Sequence, residues 1–228
     1  FPLGNFRDRS EETEPLCRNV SDFTKEAIDK AFNLDTEASP DAVEDPAFGQ
    51  VLIKAAGFGG QGVLSLGLII AKAACRAQRH VSWYPSYGPE QRGGTANCSV
   101  VISGSAIGSP VVYESNILIA MNRPSLEKFA LDVKPGGVIL YDSTIGEYDI
   151  PEGVRGIAVP AMEIACKTKA EKAANTVMLG VLKELGVTKL PADAFTEALA
   201  ENFAGKQKLI DINKKVLEAG AQWVRDNL

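Results

Sequence analysis

The sequence is poor in the residues from which self-contained active sites are made. It has one histidine, His80, too few for a histidine-based triad or metal site, and the residue reads as a polar start to a strand. Its four cysteines, Cys17, Cys75, Cys98 and Cys166, are scattered. No two stand at metal-ligand spacing, so neither a zinc ribbon nor an iron–sulfur cluster held by this chain alone is expected. The expectation is reduced, partly buried thiols in a cytoplasmic protein. Ser65, Ser86 and Ser143 lack a histidine partner, and there is no G-x-S-x-G elbow. Cys98 on a strand and Cys75 in a helix read as inert. Catalytic residues and metal ligands are therefore expected to be absent. The apolar stretches are broken by Gly, Lys or Ser well before the roughly 18 residues that a membrane helix needs. No basic-then-apolar pattern opens the chain, which begins with Phe1; a piece of a longer polypeptide is the expectation.

The charge is uneven. Residues 1–50 hold five basic and twelve acidic side chains, a net of −7; the whole chain carries −5, which leaves +2 for the remainder. A near-neutral body of this kind has no nucleic-acid footprint. Residues 1–48 read as an N-terminal arm or linker. Arg18 to Phe32 has Val20, Phe23, Ala27, Ala31 and Phe32 at roughly helical spacing, and Asn33 to Pro46 is polar and punctuated by Pro40 and Pro46. An arm that embraces another subunit and an unattached tail both fit.

From residue 49 to 228 the pattern is that of one domain. Apolar strands are expected at Gln50–Ala56, Val81–Tyr84, Ala96–Ser103, Asn116–Ala120, Val138–Tyr141 and Arg155–Val159. Helices are expected at Gly62–Gln78, Arg123–Leu131, Glu171–Leu185, Pro191–Phe203 and Gln207–Trp223, with a short one ending at Cys166. Lys134-Pro135-Gly136-Gly137 reads as a closing turn. The alternation implies an α/β fold with a doubly wound, mostly parallel sheet, helices on both faces and a helical C-terminal part. The third strand alternates apolar and polar residues and suits an edge or antiparallel position.

The chain is organised around Gly57-Phe58-Gly59-Gly60-Gln61-Gly62. Gly57, Gly59 and Gly62 match the G-x-G-x-x-G spacing of a dinucleotide-binding turn between strand and helix. Such a site also needs a carboxylate about 20 positions on, at the end of the second strand. Here that region reads His80-Val81-Ser82-Trp83-Tyr84-Pro85-Ser86, without one. This disfavours NAD or a flavin. Two uses of the turn stay open: an anion such as a phosphate at the helix N-terminus, or close packing of strand, helix and partner. Polar and glycine-rich residues follow the other strands on the same edge: the loop around Tyr87, Arg92 and Gly93, then Asn122 and Arg123, then Asp142-Ser143-Thr144. Ligands of open α/β sheets bind at such an edge. The expected binding residues are Gly57, Gly59, Gly60, Gln61, Gly62, Tyr87, Arg92, Gly93, Asn122 and Arg123. Arg92 could make a forked contact to a carboxylate or phosphate, or pair with Glu90.

The glycine turn together with Ser86-Tyr87-Gly88-Pro89-Glu90-Gln91-Arg92-Gly93-Gly94-Thr95-Ala96-Asn97 resembles the gamma subunit or domain of the 2-oxoacid:ferredoxin oxidoreductases. Asn122-Arg123-Pro124 and Asn175-Thr176-Val177-Met178-Leu179-Gly180 are similar to the family as well. The resemblance runs from about Val51 to Val224. It implies a multi-subunit enzyme that converts a 2-oxoacid, coenzyme A and oxidised ferredoxin into an acyl-CoA, carbon dioxide and reduced ferredoxin. It implies alpha and beta partners holding thiamine diphosphate, iron–sulfur clusters in beta or a ferredoxin-like delta portion, and a gamma portion that packs on them near the coenzyme A region. No cofactor is assigned to this chain itself, and no nucleic acid or membrane partner. The loop's form is closer to the 2-oxoglutarate or branched-chain types than to the pyruvate or indolepyruvate types. Phe1-Pro2-Leu3-Gly4-Asn5-Phe6-Arg7 resembles the end of a beta portion, so a fused beta–gamma polypeptide is expected. The alternatives are a free-standing nucleotide- or CoA-binding Rossmann-like module and a structural interaction domain.

Overall fold

The computed structural model describes residues 42–87 and 95–228. The expected helix at Arg18–Phe32, Cys17, Glu90, Arg92 and Gly93 lie outside the described residues. Six strands form one sheet: β1 (Gln50–Phe58), β2 (His80–Tyr87), β3 (Thr95–Ser103), β4 (Ser115–Ala120), β5 (Val133–Asp142) and β6 (Arg155–Val159). Their order is β2-β3-β1-β4-β5-β6. β1, β4, β5 and β6 are parallel neighbours, while β3 is antiparallel to both β1 and β2. Five strands thus share one direction, and the mostly parallel sheet is what forms. β3 is antiparallel, as its alternation allowed, but it lies inside the sheet, with β2 outside it. Pro85 sits on that edge strand, where an N–H missing from the ladder is tolerated.

The helices are α1 (Val63–Arg76), α2 (Arg123–Phe129), α3 (Ala161–Lys167), α4 (Ala174–Leu185), α5 (Ala192–Asn202) and α6 (Gln207–Asn227). They cover the two faces unequally. On one face Ile53, Val100, Ile117 and Leu140 of the strands are buried with Leu66 and Ile70 of α1, Val177 and Val181 of α4, and Phe195 of α5. On the other, Leu118, Ala120, Ile139 and Tyr141 pack against Leu126 of α2 and the following Ala130. Beside α2 the same face carries the row Tyr84, Ser99, Lys54. Lys54 donates to Ser99 Oγ at 2.9 Å and lies 5.5 Å from the Phe129 ring centre. Burial holds its pKa below the usual lysine range.

One local expectation is corrected. Lys134-Pro135-Gly136-Gly137 is not a closing turn but belongs to β5, which starts at Val133 and pairs with Ser115 before an irregularity in register. Gly136 takes φ +81°, so the extended segment bends without breaking. The last residues read as arm are packed on the domain: Val43 N–H donates to Gln78 O at 2.9 Å and Asp45 N–H to Gly104 O at 2.7 Å. Phe48 is buried under the Arg79 guanidinium, 4.5 Å from its ring centre.

The C-terminal helices meet through two glycines. A Cβ on Gly180 of α4 would come within 2.0 Å of the Leu217 carbonyl oxygen, and one on Gly220 of α6 within 2.3 Å of the Val177 carbonyl oxygen. Both obstacles are helix backbone, which cannot swing aside as a side chain would. Gly180→Ala and Gly220→Ala are each expected to lower stability by about 1–3 kcal/mol, measured by urea denaturation. Gly108→Ala, which meets nothing within 4 Å, is the control and should change little.

Candidate functional site

The strand directions bring the described ones among the expected residues, Gly57, Gly59, Gly60, Gln61, Gly62, Tyr87, Asn122 and Arg123, to one edge. β1, β4 and β5 all end there, and the chain leaves β1 toward β2 on one side and β4 toward β5 on the other. That is the switch point at which open α/β sheets form a crevice. Gly57 is the penultimate residue of β1, and Gly62 caps α1 at φ 72°. Tyr87 ends β2 at the same edge.

Gln61 organises this turn. Its Oε1 accepts from Phe58 N–H at 2.7 Å and from Asn122 Nδ2 at 3.2 Å, and its Nε2 donates to Met121 O at 2.9 Å. Asn122 in turn caps α2 by accepting from Ser125 N–H at 2.9 Å. One amide thus ties the end of β1 to the end of β4. The glycines are explained by the same contacts. A Cβ on Gly57 would stand 2.8 Å from Gln61 Oε1, and one on Gly62 would stand 2.5 Å from Asn175 Nδ2, which donates to Gly62 O at 3.1 Å. The space that a side chain at Gly57 or Gly62 would take is filled by Val63 and Gln61 and by Asn175 respectively. Gly60 differs. It takes φ +99°, and a Cβ placed on it would meet nothing within 4 Å. It borders an open crevice of about 230 Å³ with Met121, Asp142, Thr144 and Met162.

Asp142, at the end of β5, lies on this edge but is not among the expected binding residues. It is buried; one carboxylate oxygen accepts from Thr144 N–H at 2.9 Å and from the Thr144 hydroxyl, the other from Met162 N–H at 3.2 Å. Arg123, which is among them, is engaged at the surface. It pairs with Glu127 at 2.8 Å and lies 3.3 Å from Ile145 O, holding the segment after β5 against α2. Sequence reasoning also misses Gly67. A Cβ there would come within 2.3 Å of Cys98 Sγ and 2.9 Å of Trp83 Nε1, so this glycine lets α1 sit close on β2 and β3. A helix glycine facing a strand cysteine leaves no spacing signature. Burial pushes the Cys98 thiol up to about 12, and the Trp83 side chain hydrogen-bonds it. Among the described residues no group of three His, Cys, Asp or Glu side chains could hold a metal ion, and no helix is long and apolar enough to cross a membrane.

The family model for pyruvate ferredoxin/flavodoxin oxidoreductase matches residues 52–223. The chain belongs to this family. It is 55% identical over all 228 residues to the ketoisovalerate oxidoreductase subunit VorA of Methanothermobacter marburgensis, covering 48% of that protein. It is 38% identical over 137 residues to the 2-oxoglutarate synthase subunit KorC of Methanocaldococcus jannaschii, covering 58% of this chain and 73% of that one. Among solved structures, the keto/oxoacid ferredoxin oxidoreductase gamma subunit from Geobacter sulfurreducens matches at TM-score 0.66 and 26% identity, over 77% of this chain and 99% of that one. The 2-oxoglutarate:ferredoxin oxidoreductase from Magnetococcus marinus, with 2-oxoglutarate, coenzyme A and succinyl-CoA bound, matches at TM-score 0.70 and 28% identity, over 79% of this chain and 32% of that one. The chain spans about half the length of the first two curated relatives it matches. The gamma-type resemblance read from the glycine turn and the Ser86–Asn97 loop is borne out.

Gln61→Ala removes three hydrogen bonds and should lower stability by about 1–3 kcal/mol in urea denaturation. Gln61→Glu should cost at least as much, because a carboxylate cannot donate to the Met121 carbonyl. Titration calorimetry of the chain with NAD or FAD should give no binding, since no carboxylate ends β2. In alkylation mapped by mass spectrometry, exposed Cys166 should react in the folded protein and Cys98 only after unfolding.

Proposed function

We propose that the chain is the gamma portion of a 2-oxoacid:ferredoxin oxidoreductase that acts on a branched-chain 2-oxoacid. The observation that carries this reading is the 55% identity along all 228 residues to a ketoisovalerate oxidoreductase subunit. The reaction would join a 2-oxoacid with coenzyme A, release carbon dioxide and pass two electrons to ferredoxin. Thiamine diphosphate and the iron–sulfur clusters would belong to alpha, beta and delta-type portions. Residues 1–48 would connect this domain, 49–228, to such a portion. The pairing of this whole chain with relatives about twice its length supports that role, whereas the family match begins only at residue 52.

The carboxyl edge of the sheet is the part of the domain suited to coenzyme A. The bare Gly60 backbone and the 230 Å³ crevice offer room for a slender chain against Gln61, whose amide is fixed by Asn122, and beside Lys172. What this chain supplies is shape and donors, and an apolar wall of buried Met121 and exposed Met162. Tyr87, Arg92 and Gly93 would complete the edge. The relative solved with coenzyme A and succinyl-CoA bound supports the reading. A free-standing nucleotide module is not favoured, because the chain aligns along its whole length with an oxidoreductase subunit.

The isolated chain should show no turnover with any 2-oxoacid. The assembled complex should prefer ketoisovalerate to 2-oxoglutarate and pyruvate in kcat/KM with ferredoxin as acceptor; preference for pyruvate would overturn the substrate reading. Gly60→Val in the complex should raise the KM for coenzyme A by about tenfold and leave the KM for the 2-oxoacid unchanged. An unchanged KM for coenzyme A would remove Gly60 from that site.

A further inference from the structure

The proposed function makes no use of the thin side of the sheet. There α2 covers β4 and β5, and among the described residues no helix crosses the neighbouring β1, β3 and β2 on that face. The register gives this open part three rows: Ser82-Val101-Leu52, Tyr84-Ser99-Lys54 and Ser86-Asn97-Ala56. Lys54 is the one charged side chain in them. A surface made for water carries about a quarter to a third charged residues, whereas the centre of a protein interface is depleted of them. The strip is neutral around a single cation, and Tyr84 beside it is 47% exposed.

Lys54 is an incomplete contact. Its ammonium has three N–H groups. One donates to the hydroxyl of buried Ser99 at 2.9 Å, and among the described residues it has no further acceptor and no ion pair. Its other neighbour is the Phe129 ring, 5.5 Å away. Lys128 of α2 stands over the same ring at 5.2 Å. It too has no ion pair among the described residues, whereas Lys72, Lys167 and Lys183 do.

Two ammonium groups thus share one aromatic ring at the border between α2 and the open strands. Glu127, the acid next to Lys128, is taken by Arg123 at 2.8 Å. Burial lowers the Lys54 pKa and the Lys128 charge adds to this, while Cys98 and Asp132 act the other way. Asp132 offsets one of the two positive charges and leaves an excess of one. A half-buried ammonium in this position is stabilised by an incoming carboxylate, which brings both the missing acceptor and the opposite charge.

We propose that the open strip is a docking surface for an acidic segment of the alpha–beta part of the enzyme. An Asp or Glu side chain of that segment sits between Lys54 and Lys128, and its uncharged neighbours lie on Ser82, Tyr84 and Ser99. The inference rests on the proposed function, which supplies the partner. The strip shares no residue with the crevice beside Gly60, so the two sites are tested apart.

The test compares the assembled enzyme with the isolated chain. Acetylation of lysines by an N-hydroxysuccinimide ester, mapped by mass spectrometry, should be several-fold slower at Lys54 and Lys128 in the assembly. A carbodiimide, which joins a lysine amine directly to a carboxylate, should link one of the two to an Asp or Glu of the alpha–beta part. Lys128→Glu should raise the concentration at which the assembly half-dissociates on dilution by about tenfold, and Lys128→Arg, which keeps the charge, should leave it unchanged. Thermal melts of the isolated variants check their folding. An enzyme in which no alpha–beta part accompanies this chain would sink the proposed function and this surface with it. An assembled enzyme in which both lysines react as in the isolated chain, in which they link only to a second copy of this chain, or in which the Glu and Arg variants assemble alike, would overturn the surface alone.

Discussion

The structure turns on one side-chain amide. Gln61 sits in a glycine turn and closes hydrogen bonds to Phe58 N–H, Met121 O and Asn122 Nδ2. These groups belong to the ends of β1 and β4, the two strands that flank the switch point. Left unpaired they would be half-buried polar groups of the kind that costs about 1–3 kcal/mol each. By pairing them Gln61 sets the spacing of the two strand ends, hence the width of the crevice beside Gly60. Asn175 does the corresponding work from the helical side, reaching Gly62 O from the start of α4. The glycines are small so that these amides can enter.

The unequal cover of the sheet follows from the chain's path. α1 and the C-terminal helices stack on one face, where Gly67 lets α1 approach Cys98 and Trp83, and Gly180 and Gly220 let α4 and α6 touch backbone to backbone. Among the described residues only α2 crosses the other face, over β4 and β5. The row of Lys54, Ser99 and Tyr84 is left beside it as a polar strip. A domain of this shape presents a thick helical side, a thin side and a carboxyl edge bearing crevices. The domain belongs to the pyruvate ferredoxin/flavodoxin oxidoreductase family.

Much of this was legible in the sequence. Runs such as Ile117-Leu118-Ile119-Ala120 require burial on both faces, which demands a parallel sheet under helices. The alternation in Ala96–Ser103 marked β3 as the odd strand, and the reversal of β3 is what the register shows. The convergence of Gly57–Gly62, Asn122 and Asp142 needed only strand directions, which the alternation of strands and helices supplied. The missing carboxylate after β2 argued against a dinucleotide; what the structure adds is that Gln61 and Asn175 stand beside Gly57 and Gly62. The segment around Lys134–Gly137 misled, because glycine and proline mark bends within a strand as well as its end.

What the sequence by itself determined was the class of fold, the edge where the glycine turn meets the polar strand ends, and the family, because each is written in periodicity, in local turn chemistry or in a contiguous motif. What only the tertiary structure decided was how that edge is used. Gln61 and Met121, Gly62 and Asn175, Gly67 and Cys98, Thr176 and Asn213 are pairs distant in sequence and adjacent in space. Hydrogen bonds and close contacts act over a few ångströms, so whether a glycine opens room for a ligand or for a neighbouring side chain is set by packing and by nothing local.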